Sequence, residues 1–504
     1  MSLYPSRNPD PPFSPSAAPS DRAGGLRAVY PLRAAAVVLV ALLALAHLIW
    51  LPVSTQVGQL AIPWLMNAGL ELYHNLIENR PPLVAALVAL ALRLPVEPIT
   101  AVRLLHLLLL IATALVVYRL ATRLRAGDER AGLAALLVWS IWQPVYGNIL
   151  FYFDTINGLL TAAAVLIGIR ARTPERAALG MGLLLGLTVL IKQPAWAVVG
   201  AAGLWFVLFR EFRAALIYAI GALLPSGAAA LFFALRGDLA NYWYWTVTFN
   251  LSRNIQTGSL PTGGFLRKLL LTDLLVLPFA ALTRRPTLRA HGLALLLWGA
   301  ALISLLPHFG EIYVTAHLPL TAALSGVVIA ALWEAFPRIQ PVEVRRIVLG
   351  AALAIGGGVA LTALSAYVPG PLGPGRAPAY DEFLPLAQEL RAARAPGDTL
   401  YILPMFDGNP QLYPLTDMLP PGLWVNGHAQ FLAVPDLVDR LLREWSQRPP
   451  TWIVDFPDLR AAIGRDIDPL LAFMEARYTV AFSVPDVPFN GRAVVWRLSE
   501  PDAP

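Results

Sequence analysis

The sequence predicts an α-helical polytopic membrane protein, with about eleven spans plus surface helices and a small C-terminal α/β domain. Three observations carry this prediction. Of the 504 residues, 57% are hydrophobic and only 14% charged, against roughly 25% charged in soluble domains. Apolar runs recur between residues 31 and 367, many of them close to the roughly 20 residues that a helix needs to cross a bilayer. Beyond a Pro/Gly-rich linker, VPGPLGPGRAP, the pattern changes to short strand-like and amphipathic stretches. The formal charge of +6 lies in arginines of short loops between apolar runs. It therefore bears on orientation and implies no nucleic acid. With no cysteine in the chain, disulfides, thiolate metal ligands and thiol catalysis are excluded.

Taken in order, residues 1–30 are rich in Pro, Ser and Arg and read as a disordered cytoplasmic tail. The transmembrane region covers 31–368. Its first span, about 31–53, is too long for a cleavable signal core and lacks a convincing cleavage site after it. Residues 54–97 mix polar and apolar positions, and Pro81-Pro82 opens a short helix, so they are placed in helices lying along the outer membrane surface. Spans then follow at about 99–118, 131–147, 150–169, 177–192, 194–209, 213–234, 266–282, 290–306, 313–333 and 345–367. With a cytoplasmic N-terminus, the loops carrying Arg119, Arg123, Arg125 and Arg130, then Arg170, Arg172 and Arg176, then Arg210 and Arg213, then Arg284, Arg285 and Arg289, and finally Arg338, Arg345 and Arg346 all fall inside. The positive-inside rule favours that orientation in the cell membrane and places residues 369–504 outside. There, 381–394, 436–446 and 466–476 read as helices, and TLYILP, TWIVD, YTVAFS and RAVVWRL as strands. This small domain carries no Gly-rich phosphate loop and no HExxH or clustered histidines.

Ionisable residues within or beside spans are costly and so are candidates for function. Asp154, in FYFDTINGLL, has two readings: a helix N-cap or a functional carboxylate. Lys192, in LTVLIKQPAW, either snorkels to the headgroups or holds a phosphate; Lys268 is the only other lysine in the chain, which favours function. Arg80, in ENRPPL, is either a phosphate fork or an interface anchor. Glu71 and Glu78 are seven apart, on one face of a surface helix, and Glu71 reads as solvated. His308, Glu311 and His317 gather at one outer loop without matching a ligand motif, which favours a structural or acceptor-contact role over metal. The aromatic stretch NYWYWTVTFN reads as an interface belt or as a surface for a sugar or lipid.

The order of these features resembles the GT-C type membrane glycosyltransferases, the group of protein O-mannosyltransferases and aminoarabinose transferases, over nearly the whole chain. The resemblance rests on one span, then an outer loop ending in a Lys/Arg-Pro-Pro-Leu element (here RPPLVAAL), a basic-ended span, GLLLGLTVLIKQPA, HLPLTAALSG and an outer α/β tail. It implies an integral-membrane enzyme that takes a sugar from a polyprenyl-phosphate donor on the outer face and attaches it to an acceptor hydroxyl. The implied partners are the lipid donor, membrane lipids and an acceptor that the sequence does not name. No cofactor is called for, and a divalent metal is left open. By analogy Asp154, Arg80 and Lys192 lie near the donor phosphate or acceptor, and Gln56, Glu311, Tyr313 and His317 complete the substrate-binding candidates. One departure matters: where the family opens its first outer loop with Asp-Glu-Gly, the Asp being the presumed base, this chain has Gln56-Val57-Gly58. Glutamine accepts no proton, so Asp154 or Glu78 must substitute. Asp154 is preferred, because a salt bridge to Arg80 would weaken Glu78 as a base. A catalytically inactive, lipid-binding scaffold is the alternative reading. A transporter ranks third, because no internal inverted repeat is seen.

Overall fold

The structure, a computed structural model, describes residues 22–499 apart from 56–57, 147–149, 255–259, 283–286, 307–308, 339, 367, 369–374, 376, 378–379, 405–408, 426–433, 435, 464–466 and 488–489. The helical region runs α1 (Arg22–Ile49), α2 (Ala61–Asn67), α3 (Leu83–Ala91), α4 (Pro98–Leu124), α5 (Glu129–Val145), α6 (Phe153–Arg170), α7 (Pro174–Val189), α8 (Trp196–Leu208), α9 (Phe212–Leu235), α10 (Leu239–Trp243), α11 (Gly263–Asp273), α12 (Val276–Ala281), α13 (Leu288–Leu302), α14 (Leu318–Ala335) and α15 (Val342–Ala366). Among the described residues, five helical stretches are long and apolar enough to cross a membrane: Tyr30–Ile49, Pro98–Leu124, Phe153–Arg170, Phe212–Leu235 and Leu318–Arg338. The other predicted spans fall on the shorter helices α5, α7, α8 and α11 to α13, and on α15, which runs for 25 residues over the last of them.

Local chemistry sets the ends. Asp128 and Thr173 cap α5 and α7, their side chains accepting from the N–H groups of Arg130 and Arg176. Pro98 and Pro174 occupy first-turn positions, where a missing N–H costs nothing. The span predicted over 266–282 is broken between α11 and α12. Pro278 explains the break, since its ring cannot sit under the carbonyl four residues earlier in a continuous helix. The outer side of α9 leaves Leu216, Ile220, Leu223, Leu224 and Leu231 exposed, a band that suits lipid better than water.

The segment between α2 and α3 corrects one expectation. Residues 71–78 form no helix: Tyr73 takes a left-handed φ of 68°, and a turn leads into the two-residue strand β2 (Leu76–Ile77). Glu71 and Glu78 therefore share no helix face. Glu71 is half-exposed on Arg236, whereas Glu78 is buried.

Two further short strands, β1 (Ser54–Thr55) and β3 (Leu150–Phe151), pair in parallel and tie the first outer loop to the start of α6. Past α15, α16 (Leu384–Ala393) and α17 (Leu412–Thr416) accompany β4 (Leu400–Leu403), β5 (Trp424–Val425), β6 (Trp452–Asp455), β7 (Tyr478–Val487) and β8 (Gly491–Leu498), with further helices at Leu437–Gln447, Pro457–Ile463 and Asp468–Arg477. The sheet order is β4-β6-β8-β7, with β4 parallel to β6 and the other pairings antiparallel. The observed helices and strands of this region follow the predicted pattern closely. β5 leaves that sheet and pairs in parallel with β2, Leu76 opposite Trp424 and Ile77 opposite Val425. One buried cluster runs from Leu60, Tyr73 and Ile77 through Phe153 and Trp245 into Tyr401, Trp424 and Ile453, so the outer loop and the C-terminal region share a core.

Candidate functional site

Asp154 is the second residue of α6, behind Tyr152, which occupies the N-cap in an extended conformation and makes no side-chain cap. The capping reading of Asp154 is thereby overturned. Its fully buried carboxylate instead receives Lys192 Nζ on both oxygens, at 3.2 and 3.0 Å, and is hydrogen-bonded to the Asn157 side chain one turn on. Lys192 arrives from the break between α7 and α8, where its own backbone is extended and Pro194 follows. Its ammonium turns inward to Asp154 and does not snorkel. It also lies 3.8 Å from the centroid of the Tyr313 ring and 5.5 Å from that of Phe153, so the charge is held between a carboxylate and two aromatic faces. Tyr313 is hydrogen-bonded in turn to Tyr152.

Arg80 approaches the same Phe153 ring, its Cζ 5.3 Å from the centroid. A backbone hydrogen bond accounts for the meeting: the Leu83 N–H, at the start of α3, donates to the Leu190 carbonyl at the end of α7 (3.0 Å). That bond sets the RPPL element beside the IKQP break. The Arg80 carbonyl accepts from Tyr73 OH (2.6 Å), and its guanidinium lies 3.5 Å from Glu78 Oε2. Glu78 Oε1 accepts from the N–H groups of Asn79 (2.9 Å) and Arg80 (3.2 Å). Four hydrogen bonds pin this loop from behind: the Asn79 carbonyl accepts from Gln193 Nε2 (3.1 Å) and Asn250 Nδ2 (2.8 Å), Gln193 Nε2 also donates to the Thr246 carbonyl (2.7 Å), and Asn79 Nδ2 donates to Asn250 Oδ1 (3.2 Å). A small cleft of about 30 Å³ opens beside Arg80 and Glu78, walled by Ile62, Pro63, Leu72, Val84 and Phe153.

The predicted residues thus divide into two groups. Asp154, Lys192, Arg80, Glu78 and Tyr313 come together around Phe153. Glu311 pairs instead with Lys268 Nζ at 2.6 Å, and His317 is fully buried with Nε2 3.3 Å from Asp273 Oδ2. Gln56 and His308 lie outside the described residues. The predicted aromatic belt is mostly an inner wall: Tyr242, Trp245 and Phe249 are buried, and Tyr242 packs on Tyr73, while Trp243 and Tyr244 are exposed. Sequence reasoning missed Tyr152, Phe153, Asn157, Gln193 and Asn250. All five lie within or next to the quoted motifs, but none carries a charge that would single it out.

Both carboxylates of this site face cations, Asp154 on Lys192 and Glu78 on Arg80. The one described group with metal-ligand character lies elsewhere, at Glu71, His74 and Asp238.

Residues 79–236 match the dolichyl-phosphate-mannose-protein mannosyltransferase family, a stretch that contains Arg80, Asp154 and Lys192. No curated protein sequence matches the chain. Among solved structures, ArnT from Cupriavidus metallidurans bound to undecaprenyl phosphate superposes with a TM-score of 0.61 at 16% identity, covering 91% of this chain and 97% of that one. The Archaeoglobus fulgidus oligosaccharyltransferase in the apo form superposes with a TM-score of 0.53 at 12% identity, covering 83% of this chain and 69% of that one. The chain thus matches the dolichyl-phosphate-mannose-protein mannosyltransferase family over residues 79–236 and shares the fold of the ArnT and oligosaccharyltransferase structures over most of its length.

Proposed function

We propose that the protein is an integral-membrane glycosyltransferase that moves a sugar from a polyprenyl-phosphate donor to an acceptor hydroxyl on the outer face of the membrane. The observation that supports this best is the convergence of Arg80 and Lys192, from segments more than a hundred positions apart, on the ring of Phe153 beside the buried Asp154 carboxylate. Two cations beside an apolar cleft suit a lipid-linked phosphate. The related ArnT structure holds undecaprenyl phosphate, and an archaeal oligosaccharyltransferase structure holds a dolichol phosphate.

In this reading the acceptor oxygen attacks the sugar's anomeric carbon, and the bond from that carbon to the phosphate oxygen breaks with its electron pair. Asp154 takes the acceptor's proton, while Arg80 and Lys192 neutralise the polyprenyl phosphate as it leaves. Lys192 now sits on both Asp154 oxygens, so a donor phosphate that draws Lys192 toward itself also unmasks the base. Glu78 is held by two backbone N–H groups and faces Arg80, so in this reading it anchors the loop that carries the guanidinium.

The same bidentate pairing supports a second reading, a catalytically inactive protein that retains only lipid-phosphate binding, because Gln56 replaces the acid of the family's first loop. The test uses purified protein and polyprenyl-phosphate sugars, reading both transfer and lipid binding. Active wild type, with Asp154→Asn folded but without transfer and Arg80→Lys impaired, supports the enzyme. Wild type that binds lipid phosphate but transfers from no donor, together with Gln56→Asp that gains transfer, establishes the scaffold instead.

A further inference from the structure

We infer that Glu71, His74 and Asp238 form a binding site for a zinc-like divalent cation, separate from the Asp154 site. Glu71 and His74 stand on the turn that follows α2, and Asp238 stands three residues beyond Leu235, the last residue of α9, after Gly237 in its left-handed conformation. His74 Nδ1 lies 3.0 Å from Asp238 Oδ1, and one ligand atom from each of the three residues lies within 4.8 Å of the others. An imidazole nitrogen and carboxylate oxygens are zinc-ligand atoms, and three protein donors leave the fourth position of a tetrahedral site open. With bonds of about 2.0–2.1 Å, tetrahedral donors sit roughly 3.3 Å apart, so the His74–Asp238 pair already stands near that separation. Glu71, long and half-exposed, is the ligand free to move the remaining distance.

The surroundings agree with a cation here. Asp238 is nearly fully buried, and Asn241 Nδ2 approaches its Oδ1 at 3.5 Å. Among the described residues, the cation paired with the group is Arg236, whose guanidinium meets Glu71 Oε1 and also lies over Phe232. A carboxylate offers two oxygens, so a guanidinium on one is compatible with a metal on the other, and an outer partner of this kind orients a ligating carboxylate. An imidazole ligand and only three protein donors suit zinc better than calcium or magnesium, which take oxygen ligands in larger number or with more water. A bound ion would bridge the 71–75 turn to the end of α9. The same turn leads within a few residues to Glu78 and Arg80, so the ion would act on the reaction site by fixing that loop.

The test is independent of the proposed glycosyl transfer. Full-length protein in detergent, stripped with a chelator, is titrated with zinc alone, and stoichiometry and thermal shift are read. One zinc per chain with a raised melting temperature is expected. Affinity should fall roughly tenfold or more in His74→Gln and in Asp238→Asn, while Asp154→Asn binds as wild type does. His74→Gln keeps a side chain able to hydrogen-bond Asp238, so it separates ligand loss from misfolding. Absence of binding up to millimolar zinc overturns the site. So does zinc binding that His74→Gln leaves unchanged, or binding that Asp154→Asn abolishes.

Discussion

Asp154 and Lys192 meet across 38 positions of sequence, with the carboxylate fully buried and the lysine side chain nearly so. Breaking a buried pair by removing one partner costs about 3–5 kcal/mol, because it strands the other charge, whereas replacing both with neutral groups costs far less. Lys192→Ala should therefore lower thermal stability strongly, and Lys192→Met combined with Asp154→Asn should recover most of the loss. A double variant no more stable than Lys192→Ala would mean that the pair is not coupled. This finding changes how the lysine is best probed: its loss confounds catalysis with folding, so Arg80, partly exposed and only 3.5 Å from its own carboxylate partner, reports more cleanly on phosphate binding. A second residue carries a pH signature. Burial is the main cause that pushes the Asp455 carboxyl, at the end of β6, up to about 6, against the opposing pull of Arg460 and Arg492. A carboxyl raised in the folded state contributes stability that is complete below the unfolded value near 3.8 and is lost as pH rises through about 6. Asp455→Asn should thus gain on wild type between about pH 4 and 6 by an amount on the order of 3 kcal/mol, and by no more above that. Melting curves of the two proteins across that range check the sign, and a constant difference would refute it.

At the scale of elements, the site depends on how closely the start of α6 approaches the 3-10 turn Glu311–Ala316, which carries Tyr313. Gly158 permits that approach. A Cβ built there would meet the Thr315 carbonyl oxygen at 2.5 Å and Pro319 Cγ at 3.0 Å, both on rigid segments that cannot swing away. Gly158→Ala should cost about 1–3 kcal/mol as the turn is pushed off α6. It should also reduce transfer by moving Tyr313 from Lys192. Gly200→Ala, in α8 with open space around it, serves as the control and should be neutral or slightly stabilising. Equal melting temperatures for Gly158→Ala and wild type would show that α6 and the turn adjust without strain. The breakers on which the site turns were plain in the sequence, Pro81-Pro82 at one end and Pro194 at the other. Their meeting was not, because the hydrogen bond from Leu83 to Leu190 joins elements more than a hundred residues apart, and no local pattern encodes that contact.

Across the whole molecule, the pairing of β2 with β5 and the buried cluster from Tyr73 to Trp424 join the outer loop to the C-terminal region, so the reaction loop and that region must lie on the same side of the membrane. By the positive-inside rule, the arginine distribution leads one to expect that side to be outside. A chain without cysteine makes the orientation easy to test. Ser446→Cys, on the exposed side of helix Leu437–Gln447, should react with a membrane-impermeant maleimide in intact cells, while Arg176→Cys, at the start of α7, should react only after permeabilisation. The reverse labelling would place the Asp154 site inside. The sequence by itself determined the membrane class, the helices with proline or cap signals, the C-terminal alternation of helix and strand, and the short list of ionisable residues, because hydropathy, capping and propensity act over a few neighbouring residues. Only the tertiary structure decided that Asp154 pairs with Lys192 and does not cap α6, that the 71–78 segment turns instead of forming a helix, and that Arg80 and Lys192 meet at one phenylalanine. Those outcomes depend on packing and on desolvated charges finding partners across the chain, and such contacts leave no trace in residue spacing.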